Sequence, residues 1–80
     1  MTFLERYQKE DTWYGKVVIM EIYHLTMCQR NKGWTIAQTA TDFGVSISLT
    51  SENLKLAEAM HTDEKLINCE SRVKALRRVS

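Results

Sequence analysis

TIAQTATDFGVSISLTSENLKLA, residues 35–57, is the stretch whose reading decides the fold. Thr35 and Gln38 have the Thr-x-x-Gln spacing of a capping box, in which side chains satisfy backbone N–H groups left free at a helix start. A helix is therefore expected from Thr35 to Phe43. It ends at Gly44, because glycine accepts the positive backbone angle of a sharp corner. Ala40 is small enough for two helices to approach closely, and Phe43 and Val45 bracket the corner. Ser46 starts a second helix that runs to about residue 60.

Projected at about 100° per residue, this second helix has two unlike faces. Val45, Leu49, Thr50, Asn53, Leu54, Leu56, Ala57 and Met60 fall on a mostly apolar half that packs on the domain. Ile47, Ser48, Ser51, Glu52, Lys55 and Glu58 fall on the other, which is short, polar and mixed in charge. Helix, glycine corner and helix together form a helix-turn-helix, the unit that lays one helix in the DNA major groove. Short hydroxyls suit base edges, an aliphatic side chain suits a thymine methyl, and a lysine reaches the backbone.

Residues 34–57, with their aromatic start, central Thr-Ala, Phe-Gly-Val-Ser turn and closing Leu-x-Leu-Ala, resemble a known motif. It is the helix-turn-helix of phage- and plasmid-borne DNA-binding proteins, including the ParB-like partition group. The resemblance implies that Ser46, Ile47, Ser48, Ser51, Glu52 and Lys55 face DNA. It also implies a transcriptional regulator or partition-type adaptor of a phage or mobile element, with helix 46–60 in the major groove. Thr50 and Asn53 stand where such motifs place apolar residues, and no basic residue lies between Gly33 and Asn53.

Outward from this unit, periodicity predicts supporting helices over 3–10 and 12–30, the first opened by a Thr2/Glu5 capping box. Trp13, Val17, Met20 and Met27 share one side of the second, and Val18, Ile22 and Leu25 widen its apolar face. Gly33 supplies the left-handed residue that ends it. Downstream, Thr62-Asp63-Glu64 caps a further short helix, and a basic helix closes a C-terminal region over 63–78. The expected fold is all-α, a compact bundle of about five or six short helices in a single domain, 1–80. Supporting helices occupy 3–32 and the helix-turn-helix 35–60.

With 44% apolar and 26% charged residues and no proline, the chain has the composition of an ordinary globular helical domain. No apolar run approaches the roughly eighteen residues of a membrane span, and no signal-peptide pattern opens the sequence, so a cytoplasmic location is expected, nucleoid-associated when DNA-bound. Cys28 and Cys69, without a Cys-x-x-Cys arrangement, read as buried thiols. His24 and Cys28 share helical spacing, but no zinc pattern surrounds them, and no nucleophile constellation or phosphate loop is present. Neither catalysis, nor a metal, cofactor or small-molecule substrate is expected.

The net charge of +1 is unevenly spread. Residues 35–70 carry two basic against six acidic side chains, whereas 71–80 carry Arg72, Lys74, Arg77 and Arg78 with no acid. This places Arg72, Lys74, Arg77 and Arg78 with the DNA-contacting set, as phosphate-binding cations, with Lys55, Arg30 and Lys32 as the other candidate sources of positive charge. The expected partner is double-stranded DNA, with a homodimer or a larger partner protein adding positive charge. The competing expectation, drawn from the acidic middle, is a protein-interaction module that keeps the helix-turn-helix shape without binding DNA.

Overall fold

The computed structural model describes residues 2–79; Met1 and Ser80, which complete the domain expected over 1–80, lie outside the described residues. Five α-helices follow one another: α1 Phe3–Lys9, α2 Trp13–Arg30, α3 Ile36–Phe43, α4 Ile47–Met60 and α5 Arg72–Val79. A 3₁₀ turn, Glu64–Asn68, separates the last two. There is no strand among the described residues, so the fold is the all-α bundle expected.

Side-chain caps set the boundaries. Thr12 accepts from the Gly15 N–H, Thr35 from Gln38 and Ser46 from Leu49, which places all three residues just outside their helices. At α3 both halves of the capping box form, with the Gln38 side chain returning to the Thr35 N–H at 2.9 Å. At α1 only one half does: Thr2 caps Glu5, but its hydroxyl, rather than its backbone amide, meets the Glu5 carboxylate. Gly33 and Gly44 have φ of 85° and 68°, the left-handed conformation that lets the chain turn after α2 and α3.

The C-terminal basic region, 63–78, is divided rather than continuously helical. Asp63 accepts from the Lys65 N–H and opens the tight turn that buries Leu66. Cys69 is then extended, and its carbonyl accepts from the Trp13 indole at 3.1 Å, so the chain is held out of helical geometry before α5.

The β-branched run Val17-Val18-Ile19 stays helical because α2 gains burial from it. Val17 and Met20 are fully buried, and such packing outweighs a propensity difference of a few tenths of a kcal/mol per residue. Val17 joins Leu56, Ala57, Leu66 and Ala75 in the core, with Trp13, Met60 and Leu76 packed against it. A second cluster is aromatic: Tyr23 and Tyr7 meet the Phe43 ring edge-on at 5.1 and 5.0 Å, and Phe3 meets Tyr23 at 5.5 Å. It joins α1 and α3 to α2.

The wider apolar face of α2 is only partly covered, for Ile22 and Leu25 remain 47% and 53% exposed. The end of α2 outruns the bundle, and every residue from Cys28 to Gly33 is exposed. This corrects the reading of the cysteines: Cys28 is an exposed free thiol and Cys69 a half-buried one.

Leu56→Ala removes a fully buried side chain from the centre of the core, and a loss of about 3 kcal/mol is expected in urea unfolding. Gly44→Ala meets no atom within 4 Å, so its expected loss of about 1 kcal/mol comes from the left-handed backbone alone.

Candidate nucleic-acid interface

The corner between α3 and α4 determines which side chains look outward. Thr39, Ala40 and Phe43 of α3 are buried, as are Thr50, Asn53, Leu56 and Ala57 of α4. Val45, Leu49, Leu54 and Met60 are half-buried beside them. The opposite face leaves Ser46, Ile47, Ser48, Ser51, Lys55 and Glu58 exposed, with Ile47 at 58%. Ser46 is committed to the helix start, since its hydroxyl accepts the Leu49 N–H. Ser48, Ser51 and Lys55 make no side-chain hydrogen bond or ion pair among the described residues. They form a small polar surface with its donors and acceptors free.

Glu52 departs from that face. Arg72, at the start of α5, donates from Nη2 to Glu52 Oε1 at 2.8 Å and draws the carboxylate sideways. The same guanidinium donates from Nε to Asn53 Oδ1 at 2.6 Å and from Nη2 to the Leu49 carbonyl at 3.4 Å. Arg72 is therefore directed inward. Asn53 in turn donates to Met20 Sδ at 3.6 Å. Thr50 returns its hydroxyl to the Ser46 carbonyl at 3.0 Å. Thr50 and Asn53 are thus buried with their hydrogen bonds made.

The other C-terminal cations are largely occupied as well. Lys74 pairs with Glu70 at 2.6 Å and Arg78 with Asp63 at 3.1 Å, both at the surface, while exposed Arg77 has no acidic partner among the described residues. The basic end of the chain mostly offsets the acidic middle. Sequence reading one helix at a time missed this, because the partners are separated by up to 20 positions.

A polar chain fixes α3 against α2. The Trp34 indole donates to Thr39 Oγ1 at 2.9 Å, and Thr39 Oγ1 lies 2.6 Å from His24 Nδ1. The Trp34 N–H can only donate, so Thr39 Oγ1 accepts from it. The other ring nitrogen, His24 Nε2, lies 3.5 Å from Cys28 Sγ. Burial holds the His24 pKa below its ordinary value. On the outer side, the Tyr23 hydroxyl donates to Asp42, and that bond together with burial pushes the tyrosine pKa up to about 12.

The described residues contain no group of three or more His, Cys, Asp or Glu side chains that could hold a metal ion. None of their helices is long and apolar enough to cross a membrane. No protein-family model matches the chain, and neither a curated protein nor a solved structure matches it.

Arg72→Ala strands Asn53 Oδ1 and should cost about 2–3 kcal/mol in urea unfolding, whereas Arg78→Ala, at an exposed pair, should cost under about 1 kcal/mol. Arg72→Lys should recover only part of the loss, because an ammonium cannot reproduce the guanidinium fork. The depressed His24 pKa gives a pH dependence of definite sign. An unfolded histidine takes up its proton near 6.5 and the folded one lower, so this contribution is complete above that pH and declines as pH falls below it. In a His61→Gln background the urea midpoint should fall from pH 7.5 to 5.5, and further substitution of His24→Gln should reduce that fall.

Proposed function

We propose that this domain is a sequence-specific double-stranded DNA-binding module in which α4 enters the major groove by its outward face. The single observation that carries this reading is the division of polar groups on α4. Thr50, Asn53 and Glu52 are engaged within the molecule, while Ser48, Ser51 and Lys55 are exposed and unengaged beside an exposed Ile47.

A helix of 14 residues is about 21 Å long, and the major groove, roughly 12 Å wide, admits one. In a helix-turn-helix the first turns of the second helix meet base edges. Here those turns carry Ile47, Ser48 and Ser51, with Lys55 one turn further along and able to reach phosphate. Regulation of transcription or partition in a phage or other mobile element is the setting we propose, with a cytoplasmic, nucleoid-associated location. A second copy or larger partner would add phosphate contacts, which a chain of net charge +1 needs.

The second reading is docking to another protein through the same face. It is favoured by the internal pairing of Arg72, Lys74 and Arg78, which leaves little cationic surface at the C-terminus.

Fluorescence anisotropy on duplex DNA separates the two. Binding is expected at about 50 mM salt, weakening steeply towards about 200 mM. Absence of binding at the lower salt, with protein at tens of micromolar, rejects the DNA reading in favour of docking. On a duplex selected from a randomised pool, Ser48→Glu and Ser51→Glu should each weaken binding at least about tenfold without lowering the melting temperature. Parental affinity in both variants would show that another face reads the bases.

A further inference from the structure

We infer that the phosphate-gripping surface of this domain is the turn between α2 and α3, through Arg30 and Lys32, rather than the acid-paired Arg72, Lys74 and Arg78 of the C-terminal region. The inference rests on the DNA-binding reading and specifies which cations give it its salt-sensitive affinity.

Three of the four C-terminal cations already hold an acid: Arg72 with Glu52, Lys74 with Glu70, and Arg78 with Asp63. Moving one of them onto a phosphate would break an ion pair and leave a carboxylate near the DNA backbone, where like charge repels. Arg72 would also abandon the buried Asn53 oxygen.

Arg30 and Lys32 face neither penalty. Both are exposed and have no acidic partner among the described residues. No acid occurs in the sequence between Glu21 and Asp42. Those two boundary carboxylates are themselves engaged, Glu21 by His61 at 3.1 Å and Asp42 by the Tyr23 hydroxyl. The α4 face beyond the corner is also uncharged from Phe43 to Ser51. By contrast, Lys55 stands three residues from both Glu52 and Glu58, and Lys65 directly follows Asp63-Glu64.

The turn is held in a fixed shape. The Asn31 N–H donates to the Met27 carbonyl at 2.8 Å, the Trp34 N–H to the Asn31 carbonyl at 3.1 Å, and Gly33 is left-handed. The Trp34 indole anchors the far side to Thr39 of α3. Arg30 and Lys32 are therefore carried on the frame that leads directly into the helix-turn-helix. Cations on a fixed frame set the register of a protein on its duplex, as phosphate contacts do.

The test is the salt dependence of anisotropy on a duplex selected with the parent protein, using two double variants whose melting curves are first compared with the parent's. Arg30→Gln/Lys32→Gln should reduce the slope of log K against log salt by up to about 1.8, at about 0.9 per lost phosphate contact. It should weaken binding to all duplexes alike. Lys74→Gln/Arg78→Gln should keep the parental slope. A parental slope in the first variant, or a reduced slope in the second, overturns the assignment while leaving DNA binding intact. Failure of the parent to bind any duplex at low salt overturns the DNA reading itself, and this assignment with it.

Discussion

The bundle depends on one polar junction, where Asn53 of α4 is fixed between Met20 of α2 and the Arg72 guanidinium of α5. An amide at 2% exposure would be costly on an apolar helix face without partners on both sides. With them, it sets how far α4 is rotated about its own axis, because a directional bond tolerates less rotation than an aliphatic contact. Leu56, Ala57, Leu66 and Ala75 supply the burial around it. The orientation of the exposed serines is therefore controlled from the opposite side of the same helix.

Electrostatics follows from the same junction. The acidic middle and basic end of the chain look in sequence like two separable charge blocks, one repelling and one attracting a polyanion. Folding brings them together, most firmly at Arg72–Glu52, where the guanidinium is three-quarters shielded from water at 25% side-chain exposure. Surface pairs such as Lys74–Glu70 add little stability, but they still remove cations from the accessible surface. Among the described residues, the unpaired cations around the α3–α4 corner are Lys55 on α4 and, at the approach to α3, Arg30 and Lys32.

Helix positions and the buried face of α4 were legible in the sequence because they are governed by local rules. Thr35, Ser46 and Gly44 announce their conformations within a few residues, and 3.6-residue periodicity separates Leu56 from Ser48 without any knowledge of neighbours. The exposed set Ile47, Ser48, Ser51 and Lys55 follows from the same projection. Glu52 and Arg72 were not legible, since their pairing depends on where α5 returns to the bundle. Cys28 was misjudged because the general tendency of free thiols to be buried does not show where along α2 the packing partners end. The bond from the Trp13 indole to the Cys69 carbonyl joins residues far apart in sequence, and no local pattern encodes it.

The two tryptophans occupy different joints of the molecule. The Trp13 indole is bonded to the carbonyl that precedes α5, and the Trp34 indole to the hydroxyl that seats α3. Indole emission responds to polarity and hydrogen bonding, so the protein contains two intrinsic optical gauges, one before α5 and one at α3. Replacing either by phenylalanine would leave a single-colour reporter of whether the C-terminal helix or the seating of α3 loosens first.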